Sequence, residues 1–395
     1  MLVTLPAELI DQAIESALPG GTIYGRLCDD GDLAQVHGLS PDAGAAIGHW
    51  SRDGEQAPER GLWLVFAVTG DPQAYLLGSD DVHSLECRVI RAREDYLARA
   101  RGILPDGALA GRCVTVIGLG SGGSLIATQL ARCGVGHMRL VDFDRLEAHN
   151  IARHACPLAD IGRYKTRALR DLLLAHSPLI RVETWEANVL EQPTALAQAL
   201  SSADLVVAAV DGEAAKLAIN RACWAAGIPT VYAAAYNRAF GGDVFCALPP
   251  DGACYNCLSS VIGELFAPPP TAASDFSAGY ADPSRMADMV AQPGLAMDVG
   301  VIALLAARVA LETLLRGHDG VPEPLPDAWL LFGNRAEWVF REPLDHHFVA
   351  VPRRDDCPVC NYAQSVQSRL GISPAEAVSR RDSILAEIDS EDAEA

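Results

Sequence analysis

The sequence predicts a Rossmann-like α/β domain whose sheet is mostly parallel with an antiparallel end. A small α+β segment precedes it, and four cysteines lie towards its far end. Three observations carry this. A β-branched run, Val114-Thr115-Val116-Ile117, stops at Gly118-Leu119-Gly120-Ser121-Gly122-Gly123. It passes into a helical pattern with Leu125, Ile126 and Leu130, closed by Gly134. Beyond it, short apolar runs alternate with helical stretches, which is the pattern of parallel strands joined by crossovers. Two Cys-x-x-Cys pairs follow, Cys254 with Cys257 and Cys357 with Cys360.

In chain order, residues 1–90 read as an α+β appendage. Ala7 to Ala17 is amphipathic, and Leu62–Val68 and Ala74–Leu77 read as strands around a Gly70-Asp71-Pro72 turn. A structural or protein-docking role suits this part better than a second active site. His49 and His83 are isolated, without a neighbour at metal-ligand spacing. From Cys87 to Gly102 the segment reads as helical and arginine-rich, with Arg88, Arg91, Arg93, Arg99 and Arg101. The main domain is expected over 91–365.

Within it, the glycine loop reads as strand, phosphate loop and helix. Gly118 permits the tight turn, Gly120 lets backbone amides approach a polyphosphate, and Gly123 allows close helix packing; the helix N-terminus adds partial positive charge. Met138–Val141 is the next strand, ending at Asp142, where a carboxylate can bind ribose hydroxyls. Such a loop alone fits a dinucleotide-dependent oxidoreductase. Asp144, Asn150, Arg153 and Lys165 then follow, an unusual density of cations and polar groups for a pyrophosphate diester. A triphosphate carries more charge, and two cations would stabilise pyrophosphate as it leaves.

Further on, Leu169, Leu172 and Leu173 mark a helix, with strands near Ile180–Val182 and Leu205–Val210. Asp211 ends the latter strand, placed to hold magnesium or to cap the following helix. Thr230–Ala233 and Gly242–Leu248 continue the sheet, and Val301–Leu311 is an apolar helix. Trp329–Phe332 and Glu337–Phe340 read as a closing hairpin. Residues 366–395 form an acidic, helical tail.

The cysteine pairs form a four-thiolate set with the donors of a structural zinc site, which leaves no open position for catalysis. Cys113, Cys133, Cys223 and Cys246 lie on strands or apolar helix patterns and read as buried and inert. Cys156, close after Arg153, is the one other candidate for an activated thiol.

GLGSGG, ARCGVG, VDFDRLEAHNIARH, IGRYK, the aspartate of AAVDG, ACYNCL and DCPVC occur in an order that resembles the ThiF/MoeB family of ubiquitin-activating-like adenylyltransferases, over roughly residues 100–361. The departure is His154, where members commonly carry glutamine. The resemblance implies ATP-dependent adenylation of the C-terminal glycine of a ubiquitin-like β-grasp protein. Asp142 and Asp144 would then serve the nucleotide, Asn150, Arg153 and Lys165 the phosphates, and Asp211 Mg2+; Arg101, or Arg99 beside it, would reach the phosphates, often across a homodimer. It also implies a crossing loop at 258–293, where thioester-forming relatives keep a cysteine; none occurs here. Two pathways compete for the activated carboxyl: bacterial ubiquitin-like conjugation, with a conjugating enzyme as partner, and sulfur-carrier activation for molybdopterin or thiamine synthesis.

Composition sets the outer limits. The 395 residues carry a formal net charge of -20, which opposes nucleic acid or an anionic membrane as partner. Neither an apolar run of about 18 residues nor a signal peptide is evident, so a cytoplasmic protein is expected. Its 11 cysteines then read as thiols or metal ligands rather than disulfides.

Overall fold

The computed structural model describes residues 1–177, 179–265, 294–318, 325–326, 329–362, 365, 371–373, 375–376 and 379–380. The chain divides into two compact units, Met1–Arg99 and Ala100–Ala395.

The first unit is a closed barrel. Its strands are β1 (Leu2–Pro6), β2 (Gly20–Cys28), β3 (Leu33–Gly38), β4 (Ala45–Arg52), β5 (Gly61–Phe66), β6 (Gln73–Leu77) and β7 (Val82–Ile90). They are ordered β1-β3-β2-β4-β5-β6-β7, and β7 closes in parallel on β1. Helix α1 (Glu8–Glu15) buries Leu9 and Ala13, and short α2 (Ala92–Asp95) follows the barrel. Alternate residues point inward, so Val3, Leu5, Val36, Leu64 and Phe66 fill the core. The expected helix and two strands are present, within a barrel whose other five strands the sequence hid behind glycines and short apolar runs. The expected helix from Cys87 is corrected: Cys87–Ile90 pair with Thr4–Pro6 and the residue before them as the end of β7. Leu85, Cys87 and Val89 alternate with exposed Glu86 and Arg88, a period of two that the arginine content masked.

The second unit is an eight-stranded sheet, built in sequence from β8 (Cys113–Ile117), α3 (Ser121–Arg132), β9 (His137–Val141), α4 (Ala148–Ile151), α5 (Lys165–His176), β10 (Arg181–Trp185), α6 (Pro193–Leu200), β11 (Leu205–Ala208), α7 (Glu213–Ala225), β12 (Thr230–Ala235), β13 (Gly241–Ala247), α8 (Tyr255–Leu265), α9 (Ala296–Leu314), β14 (Trp329–Gly333) and β15 (His346–Val349). The order is β10-β9-β8-β11-β12-β13-β14-β15; the first five strands are parallel, and β13, β14 and β15 each pair antiparallel. This is the mixed sheet that the sequence predicts.

Every residue of β8 is buried, as a central parallel strand covered on both faces requires. One core packs α3, α5 and α9 on the sheet through Ile126, Leu130, Leu169, Leu173 and Ile302. The other packs α6, α7 and α8 through Leu196, Ile219, Cys223 and Leu258. Helix α9 is thus core: small residues Gly300, Ala303, Ala306, Ala307 and Ala310 are buried and bring it close to α3.

Two boundaries differ from expectation. Glu337–Phe340 is not the partner of Trp329–Phe332; β14 pairs with β15, Trp329 opposite Val349. Trp338 lies in a turn at φ +58°, and Phe340 is buried, its ring against Gly333. The expected crossing loop begins inside α8, whose last turns are Leu258–Leu265, and 266–293 lie outside the described residues. So does most of the expected tail.

Candidate functional site

The winding reverses at β8, flanked by β9 on one side and β11 on the other. Connections leaving the carboxyl ends of β8 and β11 diverge there, opening the crevice in which sheets of this kind receive ligands. The glycine loop leaves β8 into that crevice, and Asp211 follows β11.

The glycines divide by cause. Gly118 has φ +85°, and a Cβ on it would lie 2.5 Å from Ala209 O; at Gly123 a Cβ would lie 1.9 Å from Gly118 O. Both are demanded by the packing of α3 against β8 and β11. At Gly120 a Cβ would meet nothing within 4 Å. A side chain there would project into open space. Gly120 is the N-cap of α3 and no side chain caps the helix, so its leading amides face a ligand or water.

Around the loop the polar residues form a chain of contacts. Asp142, 8% exposed, accepts Leu119 N–H on Oδ2 at 2.6 Å and Asp144 N–H on Oδ1 at 2.8 Å. Asp142 therefore pins the glycine loop, keeping one lone pair on each oxygen for a ligand hydroxyl. Burial pushes its carboxyl pKa up, opposed by Lys165 and by the two amides. Lys165 Nζ pairs with Asp144 Oδ2 at 2.7 Å. Lys165 opens α5, where the helix dipole disfavours a cation, and it is buried. Local rules are broken in this way at functional or strained sites.

Asn150 Oδ1 accepts Glu147 N–H at 3.0 Å in a capping box of α4, leaving its NH2 group to donate elsewhere. Arg153 is half-buried, and a Cβ on Gly294 would lie 3.2 Å from its Nη1 and 3.1 Å from Ala239 Cβ. The guanidinium thus lies beside Gly294, which also neighbours Ala239. Asp211 is exposed; the helix that follows is capped by Gly212 without a side-chain bond, so the capping alternative for Asp211 fails. Arg101 is exposed in a turn bridging to Leu104, and Arg99 belongs to the first unit.

Two further buried polar residues, His154 and Lys216, carry no role in the sequence pattern. His154 is buried and bonds Leu119 O through Nε2 at 2.8 Å. Lys216, buried in the second turn of α7, lies 5.9 Å from the Tyr255 ring centroid and within electrostatic reach of Asp243. Asp243 in turn accepts bonds from Tyr236 Oη and Trp329 Nε1. A lysine between Ala215 and Ile219 on an apolar helix face was the available clue.

Cys254, Cys257, Cys357 and Cys360 are buried, and their sulfurs all lie within 4.8 Å of one another. Cys254 is 3.6 Å from Cys357 and Cys257 3.5 Å from Cys360, far beyond the disulfide length of about 2.05 Å. A tetrahedron with Zn–S of about 2.3 Å has sulfur edges of about 3.8 Å, so the set fits the metal. Arg354 N–H points at Cys257 Sγ at 3.5 Å and Asn256 Nδ2 at Cys357 Sγ at 3.7 Å, donors that suit thiolates. The cluster joins the start of α8 to the chain beyond β15.

Burial pushes the Cys113 and Cys133 thiols up. Burial pushes Cys87 and Cys223 up to about 11, and burial with Asp160 pushes Cys156 up to about 12. The activated thiol expected at Cys156 is therefore corrected: it is 2% exposed, and burial with Asp160 and Asp171 outweighs Arg163.

A model described as the ThiF family matches residues 108–339, more than half of the chain. The chain belongs to the ThiF family. Its sequence is 34% identical over 168 residues to the Escherichia coli molybdopterin-synthase adenylyltransferase, covering 42% of this chain and 66% of that protein. It is 29% identical to the Escherichia coli sulfur carrier protein ThiS adenylyltransferase over 67% of this chain and 95% of that one. To the Haloferax volcanii SAMP-activating enzyme E1 it is 29% identical over 64% and 82%. It spans about half of another relative, the rice ubiquitin-like modifier-activating enzyme 5, at 48% of that protein's length. Among solved structures, Escherichia coli MccB with MccA-N7isoASN superposes with a TM-score of 0.50 at 22% identity, covering 64% of this chain and 68% of that one, a likeness of fold. Membership of the ThiF family leaves the oxidoreductase alternative without support. Among the described residues no helix is long and apolar enough to cross a membrane.

Proposed function

We propose that this ThiF-family protein uses ATP to adenylate the C-terminal glycine of a small ubiquitin-like or sulfur-carrier β-grasp protein in the cytoplasm. The observation that carries the reading is Lys165, a buried cation at the wrong end of its helix, joined through Asp144 and Asp142 to the glycine loop. The substrate carboxylate attacks the ATP α-phosphorus, the bond to the bridging oxygen breaks, and pyrophosphate leaves with the charge. Such a step needs alignment and charge neutralisation more than a side-chain nucleophile.

In this reading Gly118, Gly120 and Gly123 with the α3 amides seat the phosphates, and Asp142 offers its remaining lone pairs to the ribose. Lys165 exchanges Asp144 for the leaving pyrophosphate, and Arg153 and Asn150 add donors. Asp211 would offer a carboxylate to Mg2+, which would help neutralise the phosphate charge. Arg101 acts from a second protomer of a homodimer. The four cysteines hold a structural Zn2+, which supplies no chemistry to the reaction.

Bacterial ubiquitin-like conjugation, with transfer to a conjugating enzyme, is the pathway proposed. Sulfur-carrier activation is the second reading, favoured by the absence of a cysteine from 258–293 and by the suppressed thiols elsewhere. Intact-mass analysis of the chain and its β-grasp substrate after incubation with ATP tests both. Gain of one AMP by the substrate with no thiol-labile adduct on the enzyme supports adenylation and release of the adenylate itself. A thioester on this chain would overturn the cysteine argument, and no adenylate on any such substrate would overturn the reading.

A further inference from the structure

The Leu119 peptide in the centre of the glycine loop is held from both sides. Its N–H is bound by Asp142 Oδ2 at 2.6 Å and its C=O by His154 Nε2 at 2.8 Å. The other nitrogen, Nδ1, accepts Cys156 N–H at 3.0 Å. These partners fix the tautomer. A backbone N–H only donates, so Nδ1 carries a lone pair; a carbonyl only accepts, so Nε2 carries the proton.

We propose that His154 is a positioning residue that holds the glycine loop in its phosphate-receiving shape as the neutral Nε2–H tautomer, and that protonation releases the loop. An imidazolium has N–H on both nitrogens, so Nδ1–H would oppose Cys156 N–H and the ring would have to turn, withdrawing Nε2 from Leu119 O. The charged groups that act on the ring are Lys165 from α5 and Asp160 from the 158–160 turn, while Asp142 binds the other side of the same peptide. Burial and Lys165 oppose the charged form more than Leu119 O and Asp160 favour it, so the pKa lies below the ordinary 6.5. His154 thus stays neutral near neutral pH and charges on acidification. A residue with a depressed imidazole pKa stabilises its surroundings above pH 6.5, and that contribution falls as pH drops towards the folded value. Glutamine has an N–H to donate and nothing to titrate. This chain therefore has an acid-sensitive clamp at a position where glutamine would be indifferent to pH.

The inference rests on the nucleotide reading for its consequence in catalysis, but the clamp itself is testable without it. Hydrogen exchange of the Gly118 and Leu119 amides, which donate to Val141 O and Asp142 Oδ2, is normalised for intrinsic rates and measured at about pH 5.5 and about pH 7.5, either side of the ordinary imidazole value. Wild type, H154Q and H154L are compared. Wild-type protection is expected to fall by about two- to twelvefold at the lower pH, the range that one neutral hydrogen bond supports. H154Q should be equally protected at both values, and H154L unprotected at both. An acid loss in H154Q equal to wild type would overturn the proposal, as would wild-type protection that ignores pH; H154Q keeps the test open should H154L fail to fold. Pyrophosphate exchange is followed in parallel. If it has an acid limb in wild type that H154Q removes, the clamp acts in the reaction. If wild type exchanges no pyrophosphate at any pH while loop protection behaves as described, the adenylation reading fails and the clamp stands.

Discussion

Alanine at Gly123 and at Gly120 should have opposite consequences. At Gly123 the added Cβ would lie 1.9 Å from Gly118 O, 3.0 Å from Gly118 C and 3.3 Å from Ala209 Cβ. The two closest atoms are backbone on the β8 side, so no rotamer relieves the overlap and α3 must move bodily. Forcing one carbon into a packed interior costs about 1–3 kcal/mol. In a unit of this size each kcal/mol lowers Tm by about 2–4 °C, so Gly123→Ala should melt about 2–12 °C below wild type. At Gly120 the same carbon meets nothing within 4 Å, and the residue lies at φ -72°, a backbone that alanine adopts. Gly120→Ala should therefore melt within about 4 °C of wild type, because alanine reduces the entropy of the unfolded chain by about 0.4–1 kcal/mol, worth about 1–4 °C, while it caps α3 less well than glycine. It should nonetheless weaken ATP binding, since the methyl occupies the space left for phosphate. Differential scanning calorimetry and isothermal titration with ATP separate the two. If Gly123→Ala leaves Tm unchanged, or if Gly120→Ala binds ATP as wild type does, the division of the loop into packing and ligand-facing glycines is wrong.

Replacing Lys165 with methionine keeps most of the buried stem and deletes the cation, leaving half-exposed Asp144 without its partner. Turnover should fall by about 10²–10³-fold, the usual effect of losing one group that stabilises developing charge, with a far smaller change in Tm. A loss no larger than threefold would remove Lys165 from the reaction. Cys357→Ser should release zinc and lower stability before it touches chemistry, because four thiolates leave the metal no open position; plasma emission spectrometry and thermal melting report both, and a variant that retains zinc and Tm would exclude the centre. Cys156→Ser should leave adenylation intact, since a thiol held at about 12 is not a nucleophile at neutral pH. Loss of adenylation in a folded Cys156→Ser variant would restore it as a candidate.

The second unit was largely legible from sequence because its elements obey strong local rules. The buried run of β8, the glycines at 118 and 123, and the parallel strands with their intervening helices announce themselves by period and by turn chemistry. The barrel of residues 1–90 was not, because its strands are short, carry glycine at 20, 21, 25, 38 and 48, and expose many side chains, so alternation is weak. The false hairpin at Trp338 and Phe340 shows a second limit: an aromatic alternation also arises where a turn drops one ring into the core. Within the site, sequence placed Asp142 and Lys165 beside the loop but not their partners. That Asp142 binds Leu119 N–H, that Lys165 binds Asp144, and that His154 takes Leu119 O are properties of the folded crevice alone. Arg153 shows the same limit, since its guanidinium reaches the backbone at Gly294.

Incorporation of labelled pyrophosphate into ATP, catalysed in the presence of a β-grasp protein ending in glycine, addresses the pocket most directly. Exchange that requires the free carboxylate of that protein, and that collapses in both Arg153→Ala and Lys165→Ala while the variants stay folded, is the expected result. Exchange at the wild-type rate in both variants would contradict the account.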